Sequence, residues 1–165
     1  SSDPEEDAFW PPMEKALEQL REDRLREGTV LWQDILEKIH SINGLIIELE
    51  SLALAQKEEV GTRLRNRLEI LGDIDDNRIL TEIALLLDKS DINEELVRMK
   101  AHLAAFEKCE SIEEPVGRRL EFIGQEMLRE INTIGAKSAI YSVSEIALEI
   151  KTQLEKIREQ LQNIE

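Results

Sequence analysis

Three carboxylates and an imidazole recur at helical spacing in two neighbouring stretches of this chain. Glu95 and His102 stand seven residues apart in "DINEELVRMKAHL", and Glu126 and Glu130 stand four apart in "EEPVGRRLEFIGQEMLREINTIGAKS". Either interval returns a side chain to the same flank of an α-helix. Carboxylate oxygens with one imidazole suit a hard divalent cation, Mg²⁺ or Mn²⁺, the imidazole fitting manganese better. Such a cation polarises a phosphoryl oxygen or lowers the pKa of a bound water. The second stretch also carries Arg118, Arg119, Arg129 and Lys137. Guanidinium groups grip phosphates in bidentate fashion, and all four cations suit flanking phosphates or developing negative charge. The chemistry these types allow is metal-assisted attack on a phosphate ester.

Convergence requires two rods folded against each other. Helices over 91–110 and 114–137, joined by a turn near 112–113, bring Glu95 level with Glu130. His102 then lies about 4.5 Å along the axis from Glu126. The seam of the first rod is Ile92, Leu96, Met99, Leu103, Phe106; that of the second is Val116, Leu120, Ile123, Met127, Ile131, Ile134. Asp91 with Glu94, Ser111 with Glu114 and Ser142 with Glu145 read as capping pairs that open helices. A last helix carries Ile146, Ile150, Leu154, Ile157, Leu161 and Ile164.

The remainder is equally helical. Trp10, Met13, Leu17 and Leu20 start a stripe, and Leu31, Ile35, Ile39, Ile42, Ile46, Leu49 and Ala53 form a longer one. Between them the seam falls on Arg24, costly to bury unless paired, and on Gly28, which predicts a break or a close backbone approach. Val60, Leu64, Leu68 and Leu71 continue to "GDIDDN", where Gly72 and the aspartates signal an end and a new start. "RILTEIALLL" is apolar nearly all round, which predicts an interior helix with Glu82 as a buried carboxylate. The expected fold class is all-α: long antiparallel helices forming an extended bundle with coiled-coil-like seams. Residues 1–72 are expected to form an arm of long helices, and 73–165 the region that carries the site. The seams exceed the needs of one slim bundle, which points to self-association.

Composition sets limits. The chain has 165 residues, 41% apolar and 35% charged, with a formal net charge of −15. That total argues against polyanion binding over the whole surface. The charge is uneven: residues 1–27 hold nine acids against four bases, whereas 115–138 hold four bases against three acids. Cys109 is the single cysteine, which excludes an intrachain disulfide and fits a reducing compartment. No apolar run approaches the roughly 18 residues of a membrane span. No phosphate loop, dinucleotide fingerprint or zinc spacing is present. Each candidate also has an ordinary reading. His102 beside a seam suits a structural histidine, Glu126 and Glu130 suit a surface ion-pair ladder, and Lys151, Glu155, Arg158 and Glu159 suit a solvated coiled-coil face.

Four blocks carry a resemblance. "RLREGTVLWQDI", "TEIALLLDKSDINEELVRMKAHL", "EEPVGRRLEFIGQEMLREINTIGAKS" and "EIKTQLEKIREQLQNIE" resemble the C-terminal region of the YicC/YloC family of bacterial endoribonucleases, over about Asp7 to Glu165. The resemblance implies divalent-metal-dependent cleavage of RNA by a cytoplasmic homo-oligomer, a ring-like hexamer. It also implies that an N-terminal domain is missing from this stretch. The family's polar positions include Arg24 and Glu27, then Glu82, Glu95 and His102, then Arg118, Gln125, Glu126, Arg129, Glu130, Asn132 and Lys137, and last Lys151, Glu155 and Arg158. Glu121 departs from it, because the family commonly has Asp there. On their chemistry and the hairpin geometry, Glu95, His102, Glu126 and Glu130 are the expected metal or acid–base residues of an endoribonuclease, with Glu82 in reserve. Arg118, Arg119, Arg129 and Lys137 are the expected RNA contacts. The nucleophile is a metal-activated water or the ribose 2′-hydroxyl. The rival expectation is a non-catalytic helical oligomerisation or RNA-adaptor module.

Overall fold

The computed structural model describes residues 4–72, 75–110, 112 and 115–163, with side chains from residue 10 onward. These residues form five helices: α1 (Pro4–Leu71), α2 (Asp76–Lys89), α3 (Asn93–Glu107), α4 (Val116–Lys137) and α5 (Tyr141–Gln162). No strand occurs among them.

Helix α1 is a single rod of 68 residues, about 102 Å long at 1.5 Å per residue. Gly28 neither breaks it nor admits a neighbour, since a Cβ built there would meet nothing within 4 Å. The expected seam beyond Gly28 does not form within the chain. Arg24 is exposed, as are Trp10, Leu17 and Leu20. The middle of α1 behaves as its periodicity predicts. Ile35, Ile39, Ile42, Ile46 and Leu49 are fully buried, each worth roughly 1.5–3 kcal/mol against exposure.

That stripe is one wall of a four-helix bundle with α3, α4 and α5. Gln153 of α5 bonds Ser41, and Ala139, just before α5, bonds Gln56, so α5 runs antiparallel to α1. Lys100 of α3 pairs with Glu50 and Asp91 pairs with Lys57, so α3 is antiparallel as well. Helix α4 packs between α3 and α5 across from α1. The seams of α3 and α4 are buried as expected, with Met99, Phe106, Leu120, Met127 and Ile134 at zero exposure. Trp32 stacks on Phe106 with centroids 6.0 Å apart and planes at 15°.

The turns are fixed by local chemistry. Gly72 ends α1 at a φ of +51°, a conformation glycine adopts without strain. Asp75 accepts from the Asn77 amide at 3.2 Å to open α2, and Asp91 accepts from Asn93 at 3.0 Å before α3. Glu94 does not complete that cap and pairs with Arg98. Ser111 and Glu114 lie outside the described residues, as does Ile164. Ser142 is not a cap: α5 starts at Tyr141, and no side chain caps its N-terminus.

Helix α2 reverses an expectation. It packs along α1 and contains no buried residue, and Glu82 is exposed with Leu80, Leu85 and Leu86. An all-round apolar helix calls for cover on several sides, and among the described residues α1 is the helix that packs along it. Glu82 is therefore not the buried carboxylate that the pattern predicts.

Candidate functional site

Helix α4 presents three flanks, because successive residues turn by 100°. Arg119, Glu126, Glu130 and Lys137 fall on the flank towards α3. Arg118, Phe122, Gln125, Arg129 and Asn132 follow at steps of four, three, four and three along an exposed crown. Leu128 falls on the flank towards α5.

On the α3 flank, Arg98 is a hub. Its Nε donates to Glu130 Oε1 at 3.0 Å, its Nη2 lies 3.6 Å from Glu95 Oε1, and its Nη1 lies 3.5 Å from Glu94 Oε2. These carboxylates raise its pKa still further, the Glu130 hydrogen bond foremost. Lys137 closes the network from the end of α4. Its Nζ donates to Glu95 Oε1 at 2.7 Å and to the Asp91 carbonyl at 3.1 Å. Glu95 and Glu130 are both buried, and Glu95 Oε2 has no hydrogen-bond partner among the described residues.

The start of α3 thus meets the end of α4, the antiparallel level that the spacing predicts for Glu95 and Glu130. They are joined through a guanidinium instead of facing an open cavity. His102 and Glu126 lie further along the same flank and are half-buried. No hydrogen bond or ion pair joins them to each other or to another described residue. Among the described residues no group of three or more His, Cys, Asp or Glu side chains is arranged to hold a metal ion. The quartet as arranged in one chain does not fit a divalent cation, because Arg98 and Lys137 already neutralise two of its four members.

The cations separate likewise. Lys137 is held by Glu95 and Asp91, Arg119 is exposed on the α3 flank, and Arg118 and Arg129 are exposed on the crown. Spacing alone does not single out Arg98, although its position three residues after Glu95 is the signal for the pair.

Beyond the crown, α4 and α5 enclose an open groove of about 670 Å³, lined in part by Gln125, Arg129, Asn132, Lys151, Glu155 and Arg158. Lys151, Glu155 and Arg158 are the residues whose spacing reads as a solvated coiled-coil face. Their intervals of four and three also describe one wall of a groove, and only the placement of α4 beside them separates the two readings.

Asp91 anchors the junction before α3. Its carboxyl is held below the ordinary value of 3.8, chiefly by the Asn93 amide, with help from Lys57 and Lys137. Gln56, buried in α1, donates to the carbonyls of Ser90 at 2.7 Å and Lys137 at 3.3 Å and accepts from the Ala139 amide at 2.9 Å.

The described helices include none long and apolar enough to cross a membrane. Residues 47–165 match the family described as "Endoribonuclease YicC-like, C-terminal". A probable endoribonuclease YicC of Clostridioides difficile is 39% identical over 169 residues, spanning 98% of this chain and 58% of its own length. A protein of the same name from Haemophilus influenzae is 34% identical over 143 residues, spanning 86% of this chain and 50% of its own. The chain therefore spans about half the length of the curated relatives it matches.

Proposed function

Because the chain belongs to the YicC-like C-terminal family, we propose that it is the C-terminal part of an endoribonuclease and acts on RNA in that role. The observation that carries this reading is the α4 surface. In a chain of net charge −15, Arg119 is exposed on the flank that carries His102 and Glu126, and Arg118 and Arg129 are exposed on the adjoining crown of the same helix. Imidazole and carboxylate are the usual pair for moving a proton to and from a phosphodiester, and exposed guanidinium groups hold its oxygens. His102 and Glu126 are the acid–base candidates; Glu95 and Glu130, tied down by cations, hold α3 and α4 in register.

The resemblance implies a divalent cation, but Arg98 and Lys137 occupy the carboxylates of Glu95 and Glu130 that would hold one in a single chain. The ring-like homo-oligomer that the resemblance implies is part of the same proposal. Its support is apolar surface without cover in one chain, at Trp10, Leu17, Leu20 and Leu25 on α1 and at Leu80 and Leu85 on α2.

The test is cleavage of RNA by the full-length protein, with Mn²⁺ or Mg²⁺ and with chelator, for parent and Glu126→Gln. A loss of about 10²-fold or more at unchanged oligomeric state and melting temperature is expected. A variant that cuts at the parent rate overturns Glu126 as an acid–base residue. The neutralised Glu95 and Glu130 favour a second reading, an RNA adaptor with the chemistry elsewhere in the whole protein. It predicts salt-sensitive RNA binding that survives in a fragment unable to cleave.

A further inference from the structure

The groove between α4 and α5 has a composition that solubility does not require. Arg129, Lys151 and Arg158 face it against one carboxylate, Glu155, with the amides of Gln125 and Asn132 between them. Among the described residues none of the three cations is ion-paired, although acids outnumber bases by 36 to 21 along the chain. Arg158 Nε is buried and has no hydrogen-bond partner among the described residues. Leaving a buried donor unsatisfied is costly, and the arginine that bears it lines the groove, where phosphate oxygens would meet its guanidinium. Seven residues of helix separate Lys151 from Arg158, about 10 Å, a span that suits consecutive backbone phosphates better than one small anion. A second recess of about 290 Å³ shares Asn132 and Lys151 and carries the groove on towards Ser144.

The crown above the groove adds a different chemistry. Phe122 is 63% exposed, in line with Gln125 and Arg129 one and two turns further on. It is one of only three phenylalanines in the chain, and Phe106 by contrast lies fully inside the core. An exposed ring beside guanidinium and amide groups is a platform for an unpaired base. A base inside a duplex presents no free face to it.

We propose that the α4–α5 groove is a track for single-stranded RNA, with Arg129, Lys151 and Arg158 on successive phosphates and Phe122 stacked on an unpaired base. The proposal rests on the RNA reading above and deepens it by naming the strand state and the residues that hold it. It does not depend on Glu126, on the opposite flank of α4, or on His102 of α3. Binding and cleavage are therefore separable by mutation.

The experiment is fluorescence anisotropy of the full-length protein with an unstructured labelled RNA oligonucleotide across a salt series, beside a duplex of the same length. Lys151→Ala with Arg158→Ala should weaken binding at least tenfold at low salt. It should also flatten the slope of log affinity against log salt by about 1.4, two single-strand phosphate contacts being lost. Phe122→Ala should weaken binding about tenfold with the slope unchanged, and Phe122→Trp should restore it. The melting temperature and oligomeric state of each variant should match the parent. Parent-like affinity and slope in the double variant, with the parent still binding RNA, overturn the track and leave the RNA reading standing. Equal affinity for duplex, with Phe122→Ala silent, overturns the stacking assignment. Failure of the parent itself to bind RNA overturns both readings together.

Discussion

Replacing Lys137 with Met tests whether the network between α3 and α4 is a structural clamp. The ammonium lies 2.7 Å from Glu95 Oε1, and the two side chains are 31% and 4% exposed. Breaking a fully buried pair costs about 3–5 kcal/mol, whereas exposed pairs are worth at most about 1. Lys137 is a third exposed, and Arg98 remains 3.6 Å from the same oxygen, so part of the compensation survives. The hydrogen bond to the Asp91 carbonyl is lost in addition. The net cost should be about 2 kcal/mol after allowance for solvent screening. For a chain of this size that lowers the melting temperature by about 4–8 °C, followed by circular dichroism. Adding Glu95→Gln should recover part of the loss, because the buried charge goes with its partner. A Lys137→Met protein melting within about 1 °C of the parent while binding RNA less tightly would refute the clamp and return Lys137 to the phosphate contacts.

Two further outcomes concern the helix junctions. Asp91 has a folded-state pKa below its unfolded value, so its contribution is complete above 3.8 and is lost as pH falls through the lower folded value. Asp91→Asn should therefore flatten the acid limb of a urea-midpoint profile in that window and leave its shape unchanged near neutrality. Gly117→Ala should destabilise by about 1–3 kcal/mol in denaturant titration, because the added Cβ would lie 2.8 Å from the Ile112 carbonyl oxygen, a backbone atom with little freedom to yield.

The bundle was legible in the sequence wherever two apolar stripes could satisfy each other. Ile35 through Ala53, Ile92 through Phe106 and Leu120 through Ile134 are buried at the positions that the helical period assigns. The same rule misjudged α2, because periodicity reports what a helix would bury and not whether the chain supplies a surface to bury it against. Arg24 and Gly28 fell into a seam for the same reason, on a rod whose first turns meet no other described helix. At the candidate site, the level of Glu95 with Glu130 was readable from an antiparallel hairpin. The role of Arg98 was not, since spacing cannot say whether facing carboxylates will gather round a metal or a guanidinium. Lys151 and Arg158 were marked by the resemblance but not by spacing: their intervals are those of any solvated helix, and only α4 alongside converts them into the wall of a groove.

Gln56 ties two junctions to one point of α1. Its carboxamide serves the Ser90 carbonyl ahead of α3 and both the Lys137 carbonyl and the Ala139 amide between α4 and α5. Neither junction can swing away from α1 without releasing that shared side chain, so their excursions are coupled. Deuterium uptake at the two turns should rise in step when either is perturbed. A glutamate in place of Gln56 would release the Ser90 and Lys137 carbonyls together, since a carboxylate has no hydrogen to offer them, and would keep only the bond from the Ala139 amide.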